Sequence, residues 1–406
     1  MVAEHHTLNN GIRIVHIRTN SAVGYCGMMI NTGTRDEFED EHGIAHFIEH
    51  IIFKGTKKRK AFHIMSRLED VGGELNAYTT KEETVIHATF LKDDFNRAAE
   101  LISDIVFNST FPEKELKKEK EVILDEINSY KDSPAELIFD DFEDLVYKDH
   151  PFGRNILGTK KHLKKFNKTS VTNFIKRTYN TDQMVFCSVG NIGFHRVKKI
   201  AEKLFGEVPS NLRTNERLPI GLYIPQSKTV KKGTYQYHCI IGRPCYDLKH
   251  PKRIGMYLLN NILGGPGMNS RLNLSLRERN GYAYNIESNF SPYTDTGIFS
   301  IYFGTDKENL SKATELVLKE LDRIRNQKLG VLQLLKAKRQ LIGQLAIASD
   351  NSEILMLNAA RSVLIYDTID AIETVYNQID AISAHDIIEI ANETLDPSSL
   401  SFLIYK

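Results

Sequence analysis

Apolar and polar positions alternate along both halves of the chain in two distinct rhythms. Segments 12–18, 24–31, 83–92 and 184–190 are dense in β-branched, aromatic and other apolar residues and predict strands. The helical period predicts helices over 42–53, 60–71, 93–108, 113–131, 134–147 and 193–205. Most of these carry one apolar stripe and one polar face. The first differs: Ile44, Ala45, Phe47, Ile48, Ile51 and Ile52 surround it on all sides, the signature of a buried helix. A polar stretch with Pro209, Pro219 and Pro225 then interrupts the pattern. It suggests a first domain at 1–210, a linker at 211–233 and a second domain at 234–406. The second half repeats the theme, with strands near 234–242, 282–290, 296–304 and 399–405 and long helices between 306 and 394. Its residues Leu259 to Gly264 can be laid over Ile48 to Phe53, with Asn260 and Asn261 in place of Glu49 and His50.

A length of 406 residues suits two domains. Lysine plus arginine number 53 against 52 aspartate plus glutamate, so no general field draws the chain to nucleic acid. The basic clusters at 54–60 and 160–165 read as solvated faces or loops. No apolar run reaches the roughly 18 residues of a membrane span, and residues 5–15 lead from a turn into a strand without a signal peptide. Cys26, Cys187, Cys239 and Cys245 form no C-x-x-C pair, and buried free thiols in a reducing, cytoplasmic setting are expected.

The buried helix also carries polar groups that need partners. His46 and His50 stand four residues apart, on one helical face, with Glu49 beside them, giving H-x-x-E-H. Metal coordination satisfies both imidazoles, and leaves the carboxylate near a metal-activated water. The bland alternative is a pair of core histidines bonded to backbone. A third ligand must come from elsewhere. On the wheel of 113–131, Leu116, Ile123, Ile127 and Tyr130 share one arc, and Glu119 and Glu126 fall inside it, two turns apart. Either carboxylate could be recruited to a metal; alternatively both flank the stripe and pair with nearby lysines. In the second half, Gly264-Gly265-Pro266-Gly267-Met268 lacks a following Gly-Lys-Ser/Thr, which argues against a nucleotide loop.

The stretch Asn31-Thr32-Gly33-Thr34-Arg35, the run His42 to His50, and Phe53-Lys54-Gly55-Thr56 together resemble the pitrilysin-like inverted-motif zinc peptidases, which include the mitochondrial processing peptidase. Gly72 to Thr79, the acidic helix with Glu119 and Glu126, and Pro151 to Gly158 extend the likeness through most of the first half. The resemblance implies an α+β fold of two similar domains, each a mostly antiparallel sheet covered by helices, closing as a clamshell. It assigns Glu126, 76 residues beyond His50, as third zinc ligand, and Glu119 as its acidic support. It places Asn76, Ala77, Tyr78 and Thr79 on a substrate-binding strand. In the second domain the segment Met268 to Tyr284 is similar to a glycine-rich loop followed by substrate-gripping Arg277 and Tyr284, which the spacing alone would leave as an exposed arginine and an ordinary strand tyrosine.

The expectation is a zinc-dependent endopeptidase, with Glu49 as general base, acting on unstructured peptides. It is expected to work as a homodimer, or as a heterodimer with a related subunit. The competing expectation is an inert or chaperone-like peptide-binding subunit, because this family contains members that kept the fold and lost the ligands.

Overall fold

A computed structural model describes residues 3–406. It contains two compact units, one made of residues up to Asn128 with Arg154–Leu218 and Ala348–Ala371, the other of Ser129–Gly153, Pro219–Ile347 and Ile372–Lys406.

The first unit is built on a six-stranded sheet. Its spatial order is Ala3–Thr7, Arg13–Arg18, Met184–Gly190, Val23–Ile30, Thr84–Leu91 and Glu74–Thr79. Only Arg13–Arg18 and Met184–Gly190 pair in parallel. Every residue of Met184–Gly190 is buried, as a central strand covered on both faces requires. One face packs under the helices Ile44–Ile51, Ala61–Glu69, Phe95–Asn108, Glu113–Lys131 and Phe194–Phe205 in a single apolar cluster. On the other face Val15, Met29, Val85, Val185 and Cys187 meet Met356, Ala359, Ala360 and Val363 of the helix Ser352–Tyr366. That helix comes from late in the chain because the outer face of the sheet is apolar and needs a cover.

The second unit has a five-stranded sheet in the order Ser227–Val230, Ser401–Tyr405, Tyr237–Cys245, Gly297–Thr305 and Asn285–Pro292. The pair Ser227–Val230 and Ser401–Tyr405 is parallel and the rest antiparallel. Here too a helix crosses from the other half of the chain. Ile138 and Phe142 of Pro134–Val146 pack with Ile240, Ile298, Tyr302 and Tyr405. Two α+β units of mixed helix and sheet are therefore present, each with a mostly antiparallel sheet.

Two helices that the sequence pattern did not predict, Lys160–Lys165 and Lys168–Thr178, follow the segment ending at Gly158. Their caps were legible. The Thr159 hydroxyl accepts from the His162 amide, and Asn167 accepts from the amides of Thr169 and Ser170. The first half of the proline-bearing stretch is strapped to the first unit rather than hanging free. Arg213 and Arg217 bind Asp36 at 2.6 and 2.9 Å, and both also reach the Asn31 carbonyl. The four cysteines are all free thiols, three of them buried.

Candidate metal centre

The helix Ile44–Ile51 begins at a crowded corner. Gly43 has φ +95°, and a Cβ there would lie 2.6 Å from the Cα of Gly158, itself at φ +72°. The two glycines let the backbone at Leu157 and Gly158 lie against the start of the helix. The Glu37 carboxylate accepts from the amides of Gly43 and Ala45 at 2.9 and 3.0 Å, capping the helix across six residues of loop. Full burial pushes the pKa of Glu37 up to about 8 against those hydrogen bonds. His42 is held outside the metal motif, its Nε2 at 2.9 Å from the Asn155 carbonyl. Neither contact follows a local sequence pattern.

Along the helix, His46 is buried and His50 half-buried, with ring centroids 4.6 Å apart. Desolvation, and then the neighbouring His50, lowers the pKa of His46 to about 3, so its imidazole is neutral and able to ligate. The helix Glu113–Lys131 brings both candidate carboxylates alongside, with Leu116, Ile123 and Ile127 buried as the wheel required. Glu126 Oε1 lies 3.7 Å from His46 Nε2, and Glu126 Oε2 lies 3.4 Å from His50 Nε2.

These distances are long for hydrogen bonds but suit ligands of one ion. Donors placed about 2.0–2.1 Å from a tetrahedral zinc are themselves ~3.4 Å apart. The ligand atoms of His46, His50 and Glu126 all lie within 4.8 Å of one another, the only such group of three among the described residues. Glu126 Oε2 and His46 Nδ1 are buried without a hydrogen-bond partner. The Glu126 oxygen is an acceptor that a cation beside the two Nε2 atoms would satisfy, whereas Nδ1 of a His46 that ligates through Nε2 carries the ring proton. The residues fit a zinc ion.

Glu119 stands behind this trio. It is buried, with Oε1 3.6 Å from His50 Nδ1 and Oε2 2.8 Å from Lys54 Nζ. The basic cluster at 54–60 is thus only partly a solvated face. Lys54 turns inward to Glu119, and Arg59 binds Asp104 and Glu100, because each has a buried or half-buried carboxylate within reach. The sequence reading missed Lys54 as part of this centre, although its spacing of four from His50 was visible.

Glu49 is half-buried on the same helix beside Thr79, His50 and Glu126, and burial raises its pKa. It also adds to the upward push on the phenol of buried Tyr179. The helix packs against Glu74–Thr79, the last strand of the sheet, whose outer edge pairs with no strand among the described residues. Leu75 and Ala77 pack into the cluster beneath the histidine helix, whereas Tyr78 packs in the opposite one. By strand alternation Asn76 faces the same way as Tyr78, away from that helix, while Thr79 shares its side. The strand end is pinned by the loop before Glu37: Thr34 and Arg35 amides donate to the Thr80 and Lys81 carbonyls at 3.1 and 2.9 Å.

Arg277 and Tyr284 belong to the second unit. Arg277 lies in a widened helical turn in which the Arg279 amide reaches back to the Leu274 carbonyl, and Tyr284 is 73% exposed. The helix Arg253–Gly264 carries Asn260 and Asn261, the residues laid over Glu49 and His50 in the sequence comparison. It carries no metal-ligand cluster among the described residues.

Residues 13–160 match the model of insulinase, peptidase family M16, and residues 165–341 match that of the peptidase M16 inactive domain. The chain is 32% identical to an uncharacterized zinc protease, YmxG, of Bacillus subtilis, over 96% of this chain and 94% of that one. It is 30% identical to the mitochondrial-processing peptidase subunit beta of Saccharomyces cerevisiae, over 98% of this chain and 89% of that one. A crystal structure of a protease from Helicobacter pylori has the same fold, with TM-score 0.91 at 20% identity, covering 100% of this chain and 99% of that one.

Proposed function

The chain belongs to the insulinase family of peptidases, M16, and on that premise we propose that it is a zinc-dependent endopeptidase cutting unstructured peptides. The observation that carries the reading is the convergence of His46, His50 and Glu126 with Glu49 alongside. Zinc is the cofactor, and when bound it polarises the scissile carbonyl and acidifies the attacking water. His46, His50 and Glu126 hold it. Glu49 takes the proton from that water and returns it to the departing amine, a role for which a carboxylate with a raised pKa is suited. The open edge of Glu74–Thr79 offers main-chain donors and acceptors to an extended peptide, so binding should tolerate varied sequence and require unfolded substrate. We assign Arg277 and Tyr284 to gripping the peptide, the guanidinium on a carbonyl or carboxylate and the phenol toward the developing oxyanion.

A quenched, unstructured peptide tests this. Cleavage is expected to stop after phenanthroline treatment and return with added zinc. Zinc-loaded protein that turns over no member of a diverse peptide library would instead be an inert or chaperone-like subunit. The relatives in yeast, cattle and mouse are named as one subunit of a processing peptidase. This chain carries both the metal set and the gripping pair, so we read it as a homodimer, and its free thiols suit the cytoplasm. Light scattering should give twice the 46.3 kDa chain mass; a single-chain mass, or activity appearing only with a second protein, would refute the homodimer.

A further inference from the structure

We propose that Lys54 is a positioning residue of the metal centre. By holding one oxygen of Glu119 it turns the other toward Nδ1 of His50, which leaves Nε2 of that ring for the ion. The inference rests on the metal set assigned above and extends it to a side chain outside the motif.

Three distances carry it. Lys54 Nζ lies 2.8 Å from Glu119 Oε2, the opposite oxygen Oε1 lies 3.6 Å from His50 Nδ1, and His50 Nε2 lies 3.4 Å from Glu126 Oε2. The four groups form a line from lysine to ligand carboxylate. Lys54 is well placed to act along it, since its amide bonds to the Ile51 carbonyl at 3.1 Å, in the turn that ends the histidine helix. The Glu119 side chain is 10% exposed and that of Lys54 29%, so water competes little for this pair. A histidine ligand takes its orientation and tautomer from the partner of its other nitrogen. The centre is asymmetric in this respect: His50 has a carboxylate behind it, whereas Nδ1 of His46 has no hydrogen-bond partner. Lys54 therefore acts on one ligand only, through the orientation of Glu119.

The test is zinc affinity, measured by competition with a chromogenic chelator on the full chain. Lys54→Met should weaken zinc about 10-fold or more, the usual cost of losing an outer support, and Lys54→Arg should restore most of it. Because Lys54→Met leaves the buried Glu119 without its cation, the metal-free variant should melt below metal-free wild type, and Lys54→Arg should restore the melting temperature along with the affinity. With cobalt in place of zinc, the visible spectrum should shift in Lys54→Met and return in Lys54→Arg. Zinc affinity unchanged in Lys54→Met overturns the proposal. So does equal weakening in both variants; a metal-free melting temperature lowered equally in both would then mark Lys54 as a structural tie. His50→Ala is the separate control: if it binds zinc as wild type does, the metal set itself is wrong and this inference falls with it.

Discussion

Glu49→Gln should lower peptide cleavage by about two to four orders of magnitude while zinc content stays at the wild-type level. The two halves of that result come from different geometry. Glu49 lies outside the trio whose ligand atoms meet within 4.8 Å, so an amide of the same shape leaves the ion's holders intact. The amide cannot accept the water's proton, and no other residue of the histidine helix carries a carboxylate. The raised pKa of Glu49, caused first by burial, makes it a better proton acceptor than an exposed glutamate would be. Zinc content and steady-state rate should be measured on the same preparation. Loss of zinc along with activity would make Glu49 a ligand, and an unchanged rate would move the general base elsewhere.

Arg35→Ala should destabilise the first unit by about 3 kcal/mol, at the lower end for breaking a buried ion pair. Arg35 is 4% exposed and binds Glu82, 5% exposed, at 2.6 Å. Removing the guanidinium leaves Glu82 buried with Arg217 3.4 Å away as a partial substitute, which limits the loss. The loss falls beside the histidine helix, because Arg35 and Glu82 flank the contact between the Thr34–Asp36 turn and the end of the Glu74–Thr79 strand. Urea unfolding read separately for the two units would check it. A midpoint within error of wild type would show that Arg217 and Asp36 hold the loop without Arg35. The double variant Arg35→Met with Glu82→Met should recover much of the loss, since it leaves no unpaired charge behind.

Much of the centre was legible because its determinants are local. His46, Glu49 and His50 lie within one turn and a half of helix, and 3.6-residue periodicity alone puts the two imidazoles on one face. The apolar residues around them announced burial, and Ile44, Ala45, Phe47, Ile48 and Ile51 are all buried. Glu119 and Glu126 were visible as carboxylates inside an apolar arc. Which of them meets the histidines was not a property of the wheel, because both lie on the same face two turns apart. The crossing of the two helices sets Glu126 against both imidazoles and Glu119 against His50 and Lys54.

The parts that escaped the sequence share a cause: their partners are distant and their residue types are common. Glu37 capping the histidine helix, the Gly43–Gly158 approach and the Arg35–Glu82 pair join segments across loops, where no period links one side to the other. The crossing of Ser352–Tyr366 to the first sheet is of the same kind. Periodicity in the chain, then, determined most of the elements, the buried helix and the facing of His46 and His50, because each depends on neighbours within a few residues. Tertiary structure decided which carboxylate lies against both imidazoles, which lies against His50 and Lys54, and which helix covers which sheet. Those outcomes depend on how separate apolar surfaces are buried against one another, and the charges they carry find partners only after that packing is made.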